Sequence, residues 1–202
     1  DTGYYAPVGS IIQLRCDAGT YQPSTGQESC IDADVGHYVS EEGATSQESC
    51  MIGQYQALPG QPSCDDAAPG HFVDTANATT QSECAIGTYQ SNSAQSSCID
   101  ASPGYYVDNF ASASQTACSS GSYNPDTASN NSSACQSADI GHYVSQSGQS
   151  SQTTASPGYY VDTTGASSQT PCLAGTYNPD TASNSSSACV DADLGYYVNQ
   201  QG

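Results

Sequence analysis

The chain is predicted to be mainly β: small disulfide-stapled repeats of seventeen residues, with short hairpins and turns and almost no helix, stacked into an elongated, solenoid-like rod. Three observations predict this. A glycine followed two residues later by an aromatic recurs along the whole sequence, ten cysteines fall in step with it, and only 36% of the 202 residues are hydrophobic. A fixed short period marks stacked units that bury their faces against neighbours. A chain so poor in apolar residues needs staples in place of one large core.

The glycines are Gly3, Gly19, Gly36, Gly53, Gly70, Gly87, Gly104, Gly121, Gly141, Gly158, Gly175 and Gly195, with rings at Tyr5, Tyr21, Tyr38, Tyr55, Phe72, Tyr89, Tyr106, Tyr123, Tyr143, Tyr160, Tyr177 and Tyr197. Residues 1–202 are therefore expected to form one continuous array, with units starting near 3, 19, 36, 53, 70, 87, 104, 121, 141, 158, 175 and 195. Pro69-Gly70, Pro103-Gly104 and Pro157-Gly158 suit a type II turn, in which glycine accepts the positive φ of the second central residue. The segments that follow, such as Tyr105 to Val107 and His37 to Val39, are aromatic and β-branched, which favours brief strands. Rings and small apolar residues are expected to stack between successive units.

Measured from the glycine, the units are of two kinds. In the first the cysteine lies fourteen residues on, as Cys50 does from Gly36; in the second it usually lies eleven on, as Cys64 does from Gly53. Gly121 to Cys135 and Gly175 to Cys189 carry three extra residues, which read as loop growth. The alternation fails once: Ala155 stands at the cysteine position of the Gly141 unit, and the next unit is again of the first kind. If each first-kind cysteine bonds the second-kind cysteine that follows it, loss of a unit would orphan a thiol, and Ala155 removes it. The pairs are then Cys16 with Cys30, Cys50 with Cys64, Cys84 with Cys98, Cys118 with Cys135, and Cys172 with Cys189. Pairing across the junctions instead would leave Cys16 and Cys189 free. One such bridge is worth about 3 kcal/mol, too little to order a unit alone, so an isolated repeat is expected to be unfolded.

Charge excludes whole classes of partner. One basic residue, Arg15, stands against 20 acidic ones, a formal net charge of -19, so nucleic acid and anionic membrane surfaces are repelled. Regular, even cysteines point to an oxidising, extracellular compartment. Neither an apolar run long enough to span a membrane nor a leader-like start is present in the sequence, as expected of a mature secreted segment.

Candidate sites are few. Glutamine recurs three residues before the cysteine position at Gln13, Gln27, Gln47, Gln61, Gln81, Gln95, Gln115, Gln152 and Gln169, and is read as an amide ladder that satisfies backbone groups of the adjacent unit. His37, His71 and His142 alternate with tyrosine at Tyr4, Tyr105, Tyr159 and Tyr196, an exchange no metal ligand tolerates, so no metal is assigned to them. Asp32, Asp34, Asp191 and Asp193 flank turns and are weak calcium candidates, without the distal bidentate glutamate of a calcium loop. Asn77, Asn130, Asn131 and Asn184 begin Asn-x-Ser/Thr sequons and are candidates for glycosylation. No nucleophile with a base and no phosphate-binding loop stands out, so no enzyme and no cofactor is expected.

The motif Cys-x-x-Gly-Thr-Tyr, at Cys16 to Tyr21, Cys84 to Tyr89 and Cys172 to Tyr177, resembles the cysteine-rich repeats of ephrin receptors and of tumour-necrosis-factor-receptor-like ectodomains. The resemblance implies an extended extracellular stalk that binds proteins or spaces other domains. The sequence as a whole reads as a secreted, glycosylated structural protein that forms or extends a surface fibre. Its partners would be copies of itself, head to tail, or other extracellular proteins. The alternatives are the stalk or binding ectodomain of an adhesin or receptor and, third, a calcium-stabilised spacer. The chain ends part-way through a first-kind unit, which reads as a segment of a longer array or a filament subunit.

Overall fold

The computed structural model describes residues 1–199 and residue 201. It consists of two-stranded antiparallel hairpins, one in each repeat from Gly3 to Gly175, with two residues in each strand. Tyr4–Tyr5 pairs with Leu14–Arg15, His37–Tyr38 with Glu48–Ser49, and Tyr105–Tyr106 with Thr116–Ala117. Helical structure among the described residues is confined to two single 3-10 turns, Ser132–Ala134 and Ser186–Ala188, one in each expanded loop.

Each repeat opens on a tight turn with the glycine in third place. The N–H of His37 donates to the Asp34 carbonyl (3.0 Å) and that of His71 to the Ala68 carbonyl (2.9 Å), while Gly36 and Gly70 hold φ of 76° and 83°. Positive φ at that place defines the type II turn and explains why valine can stand in for the proline while the glycine stays. The glycine carbonyl then closes the hairpin, Gly36 accepting from Cys50 N–H (2.9 Å) and Gly53 from Ala67 N–H (2.8 Å).

The array divides into two compact units, one of Asp1–Ala85, Tyr89–Ile99 and Phe110–Ser114, the other of Ile86–Thr88, Asp100–Asn109 and Gln115–Gly202. Within each, repeats are joined by three backbone ladders of constant polarity. In the first ladder a repeat's glycine donates to the carbonyl three residues after the next glycine: Gly19 to Val39 and Gly36 to Gln56 in the first unit, Gly121 to Val144 and Gly141 to Val161 in the second, all at 2.7–2.8 Å. In the second, that third residue donates onward, as Val39 N–H does to Gln61 and Val144 N–H to Ala166. The third ladder skips a repeat: Asn77 N–H reaches Cys50 O (3.0 Å), and Gly165 N–H reaches Ala138 O (2.7 Å). A repeat is therefore bonded to its neighbour and to its next-but-one neighbour, further than simple nearest-neighbour stacking would carry it.

The core keeps the small apolar residues of the expected stack but not its rings. The fully buried side chains are small: cysteine or alanine before each turn, at Cys16, Ala33, Cys50, Ala67, Cys84, Ala101, Cys118, Ala138, Ala155 and Cys172, and valine three residues after the glycine, at Val39, Val73, Val107, Val144 and Val161. Tyr5, Tyr38, Tyr55 and Tyr106 are only half-buried and flank this strip. Backbone ladders draw the chain so close together that a ring has no room between repeats, which is the physical reason for the correction. In second-kind repeats an amide replaces the valine, at Gln22, Gln56, Gln90, Asn124 and Asn178, all buried. Each amide is satisfied. Gln56 Nε2 donates to Ser63 O (2.9 Å) and its Oε1 accepts from Leu58 N–H (3.0 Å); Asn124 Nδ2 donates to Tyr105 O (2.8 Å) and Ser129 Oγ (2.9 Å). Such pairing is what makes burial of a polar group tolerable.

The third ladder's donor has left-handed backbone throughout. Glycine holds this place at Gly43, Gly60, Gly148 and Gly165, but Asn77, Ala94, Ala111, Ala128 and Ala182 also hold it with φ between 52° and 60°. An L-residue with a Cβ is strained there. Ala111→Gly and Ala182→Gly are each expected to stabilise the protein by about 0.5 kcal/mol, the relief of strain outweighing the added chain entropy. Urea denaturation checks this, and an equal loss would contradict it.

Candidate functional site

Five disulfides staple the repeats in twos: Cys16 to Cys30, Cys50 to Cys64, Cys84 to Cys98, Cys118 to Cys135 and Cys172 to Cys189. No described cysteine is free. Ala155, fully buried, fills the place that a first-kind cysteine fills elsewhere. The stretch between Cys135 and Cys172 carries no bridge and depends on the ladders alone.

The recurring glutamines act nearer home than expected. Gln47, Gln81, Gln115, Gln152 and Gln169 each accept, through Oε1, the backbone N–H of the residue that begins their own repeat's opening turn: Asp34, Ala68, Ser102, Asp139 and Ser156, at 2.7–2.8 Å. Gln13 accepts from the N-terminal ammonium of Asp1 (3.1 Å), while Gln27, Gln61 and Gln95 donate to carbonyls two residues back. The first five tie the two ends of a hairpin together and do not bridge repeats; their fixed distance of thirteen residues from the turn, within one seventeen-residue repeat, sets that reach. The buried inter-repeat amides are Asn124 and Asn178, whose Nδ2 atoms reach Tyr105 O and Tyr159 O of the preceding repeat. Their signal in the sequence is the alternation of valine with glutamine or asparagine three residues after the glycine.

The acidic candidates lie at the turns. Asp34 Oδ2 accepts from Gln47 Nε2 (2.8 Å) and the Asp34 carbonyl closes the turn, as the Asp193 carbonyl does by accepting from Tyr196 N–H (3.0 Å). Asp32 and Asp191 end strands opposite Thr20 and Thr176, and all four aspartates are exposed. Among the described residues no three His, Cys, Asp or Glu side chains come together where they could hold a metal ion. His37, His71 and His142 each turn Nδ1 toward the carbonyl two residues back, in their own turn, at 3.2–3.3 Å.

Surface charge also acts at Arg15 and at Tyr38. Arg15 stacks over the Tyr4 ring at 5.9 Å, donates to its hydroxyl (3.4 Å) and stands 3.9 Å from Glu42. The pair with Glu42 is exposed, so solvent screens it. Tyr38 donates its hydroxyl to Glu48 (2.8 Å) across the hairpin. That bond, followed by desolvation and the carboxylate's charge, holds the phenol above the ordinary tyrosine value. A phenol raised in the folded state favours folding below the unfolded value of about 10, and the advantage is lost as pH rises through the raised value. Glu48→Ala is expected to bring the Tyr38 ionisation midpoint down toward that of an ordinary phenol, read from its ring resonances in an alkaline titration; an unmoved midpoint would contradict the assignment.

The sequon asparagines Asn77, Asn130, Asn131 and Asn184 are all exposed and differ in their hydrogen bonds; Asn131 caps the first 3-10 turn. A cleft of about 340 Å³ in the second unit is lined by Tyr177, Ala192, Asp193, Tyr196, Tyr197 and Val198 and holds no paired nucleophile and base. No helix of the described residues is long and apolar enough to cross a membrane.

The repeat geometry and its staples define a class, the disulfide-stapled β-hairpin repeat. The family model described as tyrosine-protein kinase ephrin type A/B receptor-like matches residues 3–50, which span the first three hairpins and the first bridge. This stretch is similar to the cysteine-rich repeats of that family, a non-catalytic ectodomain type. No curated protein matches the chain.

Proposed function

We propose that the chain is a structural segment of an extracellular, disulfide-stabilised fibre at the cell surface, without enzymatic activity. The carrying observation is the trio of backbone ladders, which run with one polarity from repeat to repeat and use atoms every residue but proline possesses. Such a pattern contains no stop of its own, so one repeat can follow another within a chain or from a second copy, head to tail; contacts of that kind propagate open filaments. The shortage of lysine and arginine leaves almost no trypsin-type cleavage site, which suits durable extracellular material. Glycans on exposed sequon asparagines add solubility.

The family match at residues 3–50 favours a second reading, the stalk of a receptor or adhesin that spaces a recognition module from the surface. Electron microscopy of the native material separates the two. Continuous fibres are expected; discrete short stalks of uniform length would overturn the fibre reading in favour of the second.

A further inference from the structure

The two expanded loops are built alike. In each an alanine with left-handed backbone, Ala128 (φ 52°) or Ala182 (φ 55°), is followed by a serine, Ser129 or Ser183, that accepts from the buried amide Asn124 or Asn178 at 2.9 Å. Next comes an exposed asparagine, Asn130 or Asn184. The residue after it caps the 3-10 turn, and that turn leads into Cys135 or Cys189. In the second loop the cap is Ser185, whose Oγ accepts from Ser187 N–H (3.2 Å). In the first it is Asn131, whose amide is engaged at both its oxygen and its nitrogen. Its Oδ1 accepts from Ser133 N–H (2.9 Å) and from the Ser133 hydroxyl, and its Nδ2 donates to Asn130 Oδ1 (2.7 Å). Among the described residues nothing accepts from the Nδ2 of Asn130 or Asn184.

We propose that Asn130 and Asn184 are a structurally matched pair of N-glycosylation sites and that the overlapping sequon at Asn131 stays bare. The acceptor triplets are Asn130-Asn131-Ser132 and Asn184-Ser185-Ser186. The donor is an oligosaccharide carried on a lipid diphosphate. Asparagine Nδ2 forms a bond to C1 of the first sugar, the C1–oxygen bond to phosphate breaks, and the lipid diphosphate departs with the electron pair as Nδ2 gives up one of its two protons. Asn130 keeps Oδ1 free to accept from Asn131 afterwards, so the cap survives the modification. A sugar on Asn131 Nδ2 would instead stand beside the proton that bonds Asn130 and would crowd the turn ahead of the Cys118 to Cys135 bridge.

The assignment rests on the extracellular reading above, and its test keeps the two apart. The full chain is secreted from a eukaryotic cell, treated with a glycan amidase in heavy-oxygen water, cleaved at its acidic residues and mapped by mass spectrometry. Labelled aspartate is expected at positions 130 and 184 in most molecules, with Asn131 unlabelled. The variant Asn131→Ser, which copies Ser185, is expected to leave occupancy at 130 unchanged. Bare Asn130 and Asn184 in a secreted chain with all five bridges intact would overturn the assignment while the extracellular reading stands, and label at Asn131 would overturn the exclusion. Recovery of reduced thiols would overturn both.

Discussion

Adding a single methyl group at Gly70 is expected to cost about 4 kcal/mol or more and to disorder the repeats on either side. Two penalties combine. Gly70 holds φ of 83°, where an alanine is strained by about 1 kcal/mol. The new Cβ would also stand 2.0 Å from the carbonyl oxygen of Ala111 and 2.6 Å from its carbon, atoms of a backbone that is itself fixed by the bond from Ala111 N–H to Cys84 O (2.9 Å). Backbone cannot step aside as a flexible side chain can, so the two strands must part and the bond from Gly70 N–H to Gln90 O (2.7 Å) is loosened with them. Gly26→Ala is the matched control. Its φ is 72° and nothing lies within 4 Å of the added atom, so it bears the conformational penalty alone, about 1 kcal/mol. Urea denaturation of the oxidised proteins compares the two, and equal losses would show that the close approach of next-but-one repeats does not hold the structure together.

Removing one staple is expected to have the next largest effect. Cys50 is 0% exposed, yet alanine fits the corresponding place, since Ala33, Ala67, Ala101, Ala138 and Ala155 are as deeply buried there. Cys50→Ala with Cys64→Ala therefore leaves the packing nearly intact and isolates the crosslink, whose ends are fourteen residues apart. Closing a loop of that size restricts the unfolded chain by about 3 kcal/mol, and the double variant should lose that amount. Measurement of the denaturation midpoint without reductant decides it; a midpoint within error of the parent would mean that the bridges add nothing to equilibrium stability.

The repeat frame was legible because its signals are local. Gly36 and Gly70 need positive φ whatever surrounds them, and the short aromatic and β-branched segments after them form strands of two residues as their composition indicates. Ala155 pointed correctly to a cysteine-equivalent place, since it lies buried in the same strip as Cys50 and Cys84. The core was less legible. A period of seventeen residues announces a repeat but does not say which other repeat it touches, and the decisive contacts, such as Gly36 against Asn77, join atoms two repeats apart. The regular tyrosines drew the reading toward ring stacking, whereas Val39, Ala67 and Cys84 fill the interior. Nine regular glutamines masked the less obvious set, Gln22, Gln56, Gln90, Asn124 and Asn178, that is in fact buried. In the expanded loops the sequons were visible, but the use of Asn131 as a cap depended on a 3-10 turn that serine-rich sequence does not announce.

Residue-resolved amide hydrogen exchange tests the ladders most directly. Slow exchange is predicted at Gly36, Gly53, Gly121 and Gly141, which donate to the following repeat, and at Asn77, Ala94, Gly148 and Gly165, which donate to the repeat two before. Gly9 and Gly26, which have no such acceptor, should exchange at rates near those of an open chain. Equally fast exchange at all of these positions in the oxidised protein would contradict a fold built on repeat-to-repeat backbone bonding.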